Sequence, residues 1–304
     1  MIEASSHSPA RRRSITIDYA AQDTHRMIQF KFNTGRVLAA LTDGLTRMIA
    51  PTLGNFAKSG RRGLRWLVKN APSAIGRHMP ERLWAPPLGT VKLGDFNRTA
   101  PISDSFGFDR GKPIDRYYIE NFLGKNANDI CGRVLEIGDN DYTVRFGGSK
   151  VDKSDVLHVD AGNPSATIVG DLSKSGILPS DAFDCIVLTQ TLHLIFDMRK
   201  ALAELARSLK PGGALLITVP GITRVDRGEW GYTWYWSLTD LALAQLLAEF
   251  FDEKDILVET SGNVFAAVCF LQGLAVSEVP TSKLDVLDSS FPVIVTAKVV
   301  KRLL

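Results

Sequence analysis

Residues 132–143 read GRVLEIGDNDYT. An apolar run, Val134–Ile137, carries one acid, Glu136, and gives way at Gly138 to Asp139, Asn140 and Asp141. A short Val/Ile/Leu run that stops at glycine and acidic residues is the pattern of a buried strand opening into a loop. Loops of this kind form the ligand-binding edge of a doubly wound sheet, outside the carboxyl ends of its strands.

C-terminal to this stretch the same pattern recurs. Asp155–Val159, Ala166–Val169, Cys185–Thr189 and Ala214–Val219 are short and apolar, and Gly, Pro and Asp bound them. Met198–Leu209 has a helical apolar period and stops at Lys210-Pro211-Gly212-Gly213. This alternation predicts an α/β fold: a Rossmann-like, doubly wound, mainly parallel sheet with helices on both faces.

Four elements in order give the chain its resemblance. The first is the turn with Glu136 and Gly138, where Asn140 and Tyr142 stand at the next two alternate positions. The second is Asp160 at the end of the second strand, and the third is ATIVGDL with Asp171-Leu172. The fourth is FDCIVLTQTLHLIFD followed by LKPGGALLITVPG. Together they resemble the class I S-adenosylmethionine-dependent methyltransferases, and imply that family's fold.

The resemblance implies a cofactor site for S-adenosylmethionine built from Glu136, Gly138, Asp139, Asp160, Asp171, Leu172 and Gln190. The family's turn has three alternating glycines, and here only Gly138 remains. Side chains at Asn140 and Tyr142 would narrow the backbone approach that glycine allows, although asparagine enters left-handed backbone angles readily. Asp139 and Asp141 would favour the cofactor's ammonium group. Asp160 would accept from the ribose hydroxyls, with Asp155 as its competitor, and Asp171 would serve adenine, cap the next segment, or do both.

His193 follows the fourth strand, where this fold places the transferred methyl, so it is the candidate base for a hydroxyl acceptor, with a pKa near neutrality. Its alternative role is to anchor the loop by hydrogen bonds. Asp197, Glu229 and Tyr232 are weaker candidates, and no His/Cys cluster has metal-ligand spacing, so a metal-independent mechanism is expected. Two further stretches, Phe106–Leu123 and the aromatic Trp230–Ser237, resemble segments of methyltransferase-domain proteins in bacterial glycan pathways. A small-molecule or glycan-related acceptor is therefore expected. The rival expectation is a binding or scaffold protein that keeps the fold without catalysis.

The 304-residue chain has a net charge of +3, unevenly distributed: residues 1–92 hold fifteen Lys/Arg against five Asp/Glu, and residues 93–304 hold twenty-one against twenty-eight. This predicts a basic, partly disordered and helical extension over 1–92 ahead of the catalytic-type domain over 93–304. Leu38, Leu41, Leu45, Met48 and Ile49 share one helical face, and Arg61, Arg62, Arg65 and Lys69 surround Trp66. The extension is expected to pack on its own domain or on a second copy in a homodimer, or to lie peripherally on an anionic membrane. Nucleic acid is not expected as a partner, because no recognition motif is present. Three cysteines, no long apolar run and no apolar segment after the first charges point to a cytoplasmic protein, peripheral at the inner face of the membrane if the extension binds lipid.

Overall fold

Neighbouring side chains of the central strands enter two different cores, which is why these segments are apolar throughout rather than alternating. In a computed structural model, which describes residues 85–302, Leu135, Ile186, Leu188, Leu215 and Ile217 pack on one side of a sheet. Val134, Cys185, Val187 and Leu216 pack on the other. Strand side chains alternate with period two, so both faces must be covered. The expectations for the extension up to residue 84 lie outside the described residues.

The strands are β1 Gly132–Ile137, β2 Val151–His158, β3 Ile168–Val169, β4 Phe183–Thr189, β5 Leu209–Pro220, β6 Ile256–Ser261 and β7 Ile294–Val300. They form one seven-stranded sheet in the order β3-β2-β1-β4-β5-β7-β6. β3 through β5 run parallel, while β7 is antiparallel to both β5 and β6. Helices α1 Ile114–Lys125, α2 Met198–Ser208, α3 Asp240–Ala248, α4 Val264–Leu271 and the short α5 Thr281–Leu284 flank it. Residues of α2 and α3 join the first core, and residues of α1 and α4 the second. Three of these helices begin at a side-chain cap. Asp197 accepts from the Lys200 amide at the start of α2, Thr239 from Ala242 at α3, and Asn263 from Ala266 at α4.

The structure departs from the expected strands in two places. β2 starts at Val151, four residues before the expected Asp155, so Asp155 lies within the strand. Its buried carboxylate accepts from Arg133 Nε at 2.6 Å and Thr167 Oγ1 at 3.1 Å, with Lys153 Nζ at 3.3 Å. These partners hold it below the usual carboxylate range against the opposing effect of burial. The link from β1 to β2, residues 138–150, contains no regular α-helix: a π-turn, Thr143–Gly147, and a 3-10 turn fill it. At β5 the Lys210–Gly213 turn is a bulge, since Leu209 pairs with Phe183 and Ala214 with Cys185. Cys131, Cys185 and Cys269 are free thiols.

Candidate active site

The carboxyl ends of β1, β2, β4 and β5 and the loop after β3 open into one cleft of about 1630 Å³. Glu136, Gly138, Asp139, Asp171, Leu172, Gln190 and His193 all stand in its wall, although they come from three different strand ends. The segment before α1, including Phe106 and Phe108, and the loop after β5, including Trp230, Trp234 and Tyr235, enclose the other side.

Glu136 organises the turn after β1. Its carboxylate, almost fully buried, accepts from the Thr143 amide and hydroxyl, both at 2.7 Å, and from the Tyr142 amide at 3.3 Å. Burial pushes its pKa up to about 7, only partly offset by the hydrogen bonds from Thr143 and Tyr142. Both oxygens accept from the loop, so this acid shapes the binding edge. Gly138 has φ +93°, and a Cβ added there would meet no atom within 4 Å. Its carbonyl accepts from Asn163 Nδ2 at 2.7 Å, and its amide donates to Leu157 at 3.0 Å.

Of the two residues that stand at the family's later glycine positions, only Asn140 departs from expectation. Asn140 does not have a left-handed backbone; its Nδ2 donates to Ser154 Oγ at 3.2 Å, away from the cleft. Tyr142 stands in the cleft wall and packs on Phe146 with ring centroids 6.0 Å apart. The left-handed non-glycine residue at this edge is instead Gln190, with φ +46°. Its amide and Nε2 are tied to Thr218 of β5, at 2.9 Å to the carbonyl and 3.2 Å to Oγ1. Such backbone strain persists only where surrounding bonds hold it.

Asp160 stands apart from the other residues expected at the cofactor site. β2 ends at His158, and Asp160 lies on the exposed turn beyond, outside the cleft wall, where its Oδ1 accepts from the Gly162 amide at 2.8 Å. His158 and Val159 line the cleft instead. The offset arises because the chain folds back on itself here: the Asp160 amide donates to His158 Nδ1 at 3.0 Å. Asp171 does cap its own turn, since Oδ1 accepts from the Ser173 amide and hydroxyl at 2.9 and 2.7 Å, and these bonds lower its pKa. It nevertheless remains in the cleft wall beside buried Leu172.

His193 is buried at 2% exposure, and neither ring nitrogen has a hydrogen-bond partner. What holds this loop is the backbone: the His193 carbonyl accepts from the Tyr235 and Trp236 amides at 3.2 and 3.3 Å. The imidazole is therefore not the anchor. Trp234 meets it edge-on, centroids 4.6 Å apart. Burial lowers its pKa to about 4, well below the expected neutral value, because the charged form would lose its water. Asp197 and Glu229 also line the cleft, whereas Tyr232 is 94% exposed and does not. A wall residue that the sequence reading missed is Phe106, held at φ +56°; Arg224, just outside the wall, places its guanidinium 4.4 Å from the Phe106 ring.

These two titrations oppose each other. Glu136, raised from its unfolded value, contributes stability at low pH that is lost as pH rises through about 7. His193, lowered, contributes stability above about 6.5 that is lost as pH falls through about 4. Across pH 5–6.5 each is worth roughly 2 kcal/mol, with opposite slopes. Urea unfolding of Glu136→Gln should gain stability with rising pH relative to the parent, and His193→Phe should lose it. Parallel slopes in all three proteins would rule this out.

Residues 127–217 match the family model described as "Methyltransferase domain". Among curated proteins, the ubiquinone/menaquinone biosynthesis C-methyltransferase UbiE of Marinomonas sp. is 33% identical over 122 residues, which are 34% of this chain and 49% of that protein. The protein of the same name from Pectobacterium carotovorum is 34% identical over 104 residues, 28% of this chain and 41% of its own. This chain thus spans about half, or less, of the relatives it matches. Among solved structures, the N-methyltransferase NodS from Bradyrhizobium japonicum is 14% identical, with a TM-score of 0.41 over 64% of this chain and 99% of its own. Residues 127–217 thus match a methyltransferase domain, within a chain that is similar to the C-methyltransferases named above over about a third of its length.

Proposed function

We propose that this protein is an S-adenosylmethionine-dependent methyltransferase acting on the hydroxyl of a small acceptor, glycan-related compounds among them. The observation that carries this reading is the meeting of Gly138, Asp139, Asp171, Leu172 and Gln190 with the bare imidazole of His193 in a single cleft. At about 1630 Å³ the cleft exceeds the roughly 300–1,000 Å³ typical of a site for one ligand, leaving room for cofactor and acceptor together.

The residues present fit the cofactor. Gly138 exposes backbone into open space, Asp171 keeps one carboxylate oxygen outside its own cap, and Leu172 offers an apolar surface beside it. When bound, S-adenosylmethionine supplies a methyl on a sulfonium, already activated for in-line displacement. The protein's own task is then to align the acceptor and exclude water. His193 accepts the hydroxyl proton through an unpaired ring nitrogen, and Trp234 Nε1, also buried and unpaired, is a second hydrogen-bonding group for the acceptor. The curated relatives are named C-methyltransferases, which favours carbon as the second candidate for the methylated atom.

Calorimetry with S-adenosylhomocysteine tests the cofactor half of this reading. Saturable binding is expected, and Asp171→Ala should weaken it by roughly 1–3 kcal/mol, the scale of a lost hydrogen bond to a charged group. Asp160→Ala should weaken it less, because Asp160 lies outside the wall. No binding heat from folded protein at millimolar ligand would refute the assignment. Binding without transfer to any acceptor would favour the non-catalytic scaffold. The carbon-13 shift of a labelled methyl in the product separates oxygen, nitrogen and carbon acceptors.

A further inference from the structure

Among the described residues, buried side-chain polar atoms without a hydrogen-bond partner gather around one loop, the one after β5. They are both nitrogens of His193, Trp234 Nε1, Arg224 Nε and Gln272 Oε1, and Asp255 Oδ2 is the one such atom elsewhere. His193 and Trp234 belong to the main cleft. Arg224 and Gln272 line a neighbouring depression of about 590 Å³ that shares Asp104 and Asp226 with it and adds Arg98 and Arg227.

Arg224 is the unusual member. Its side chain is 25% exposed, yet its nearest carboxylates stand at 3.7 Å (Asp104) and 3.9 Å (Asp226), beyond hydrogen-bond distance. Asp226 is already engaged: its two oxygens accept from the Gly228 and Trp230 amides at 2.9 and 3.3 Å. The Asp104 side chain is 87% exposed and its interaction with Arg224 is correspondingly weak. A guanidinium carries five donors, and a buried donor left unpaired costs free energy that a ligand can recover. The charge is also linked by contact to the methyl-transfer point. Arg224 lies over Phe106, Phe106 stacks on Trp234 at 6.0 Å and 8°, and Trp234 abuts His193.

We propose that the methyl acceptor is an anion, whose carboxylate or phosphate docks on Arg224 while its methyl-accepting group reaches His193. This rests on the methyltransferase reading of the main cleft. The planar guanidinium suits either group, because two parallel N–H donors match two oxygens of a carboxylate or phosphate. Gln272 Oε1, an acceptor only, takes a neighbouring hydroxyl. Arg98 and Arg227, both exposed, add attraction that salt screens. Phe106 and Trp234, both in the cleft wall, give the body of the acceptor aromatic surface along the path between Arg224 and His193.

The test titrates phenyl phosphate, benzoate and phenol into the full chain, with and without S-adenosylhomocysteine. Both anions should bind at least tenfold more tightly than phenol; the stronger of the two identifies phosphate or carboxylate as the group recognised. Arg224→Gln should weaken both anions at least tenfold while the affinities for phenol and S-adenosylhomocysteine hold. Should that variant misfold, the double variant Arg98→Gln/Arg227→Gln, at exposed positions, should weaken both anions about threefold at low salt and not at high salt. Anions that bind no better than phenol, or that are indifferent to these substitutions, overturn the proposal. An Arg224-dependent anion site in a protein that binds no S-adenosylhomocysteine removes the methyltransferase reading and the acceptor role with it.

Discussion

Replacing His193 with alanine is expected to lower the rate of methyl transfer about 100-fold while leaving the affinity for S-adenosylhomocysteine within twofold. General bases contribute roughly 10²–10⁴-fold, and burial places this one at the low end. The reason is its environment: a pKa near 4 means that the imidazolium formed by proton transfer has poor solvation, so the ring is a weaker base than a solvated histidine. The same shift sets the pH profile. The rate should be flat from pH 6 to 8 and fall only towards pH 4, and that limb should vanish in the variant. A limb near pH 6.5 would show that the acceptor or cofactor reverses the desolvation. An unchanged rate would mean that alignment alone carries the reaction, with the proton leaving to solvent or to Asp197, the nearby acid in the cleft wall.

Gly138→Val is expected to weaken S-adenosylhomocysteine binding at least 100-fold. Two effects combine. The branched side chain would project into the open space before the turn, where the cofactor must approach the backbone. In addition, a φ of +93° is one that a β-branched residue cannot adopt without strain, roughly 1–3 kcal/mol, so the turn would also shift its bonds to Leu157 and Asn163. Melting temperature measured beside calorimetry separates the two, and Gly138→Ala, with less bulk, should bind more tightly than the valine variant. Cofactor affinity equal to that of the parent would place the ligand elsewhere.

The turn after β1 shows how far local reading went. Glu136 and Gly138 were legible as an acid and a glycine at a strand end. That both Glu136 oxygens would be consumed by Thr143 and Tyr142 was not, since it depends on how residues 138–150 pack without a regular helix. The position of Asp160 outside the cleft wall has a similar cause. Spacing counts residues along the chain, whereas the cleft wall depends on where β2 stops, and β2 stops at His158. Arg224 carried no motif at all. It became visible only through the mismatch between its burial and its missing hydrogen bonds.

The sequence by itself determined the parallel part of the sheet and the order of its cofactor-edge loops, because strand identity, turn chemistry and apolar runs are encoded in neighbouring residues. Only the tertiary structure decided that β7 enters antiparallel between β5 and β6, that His193 is a desolvated imidazole, and that Arg224 stands over Phe106. Those outcomes depend on burial and on partners distant in the chain. Desolvation and pairing are sums over everything packed around a group, which no local pattern contains.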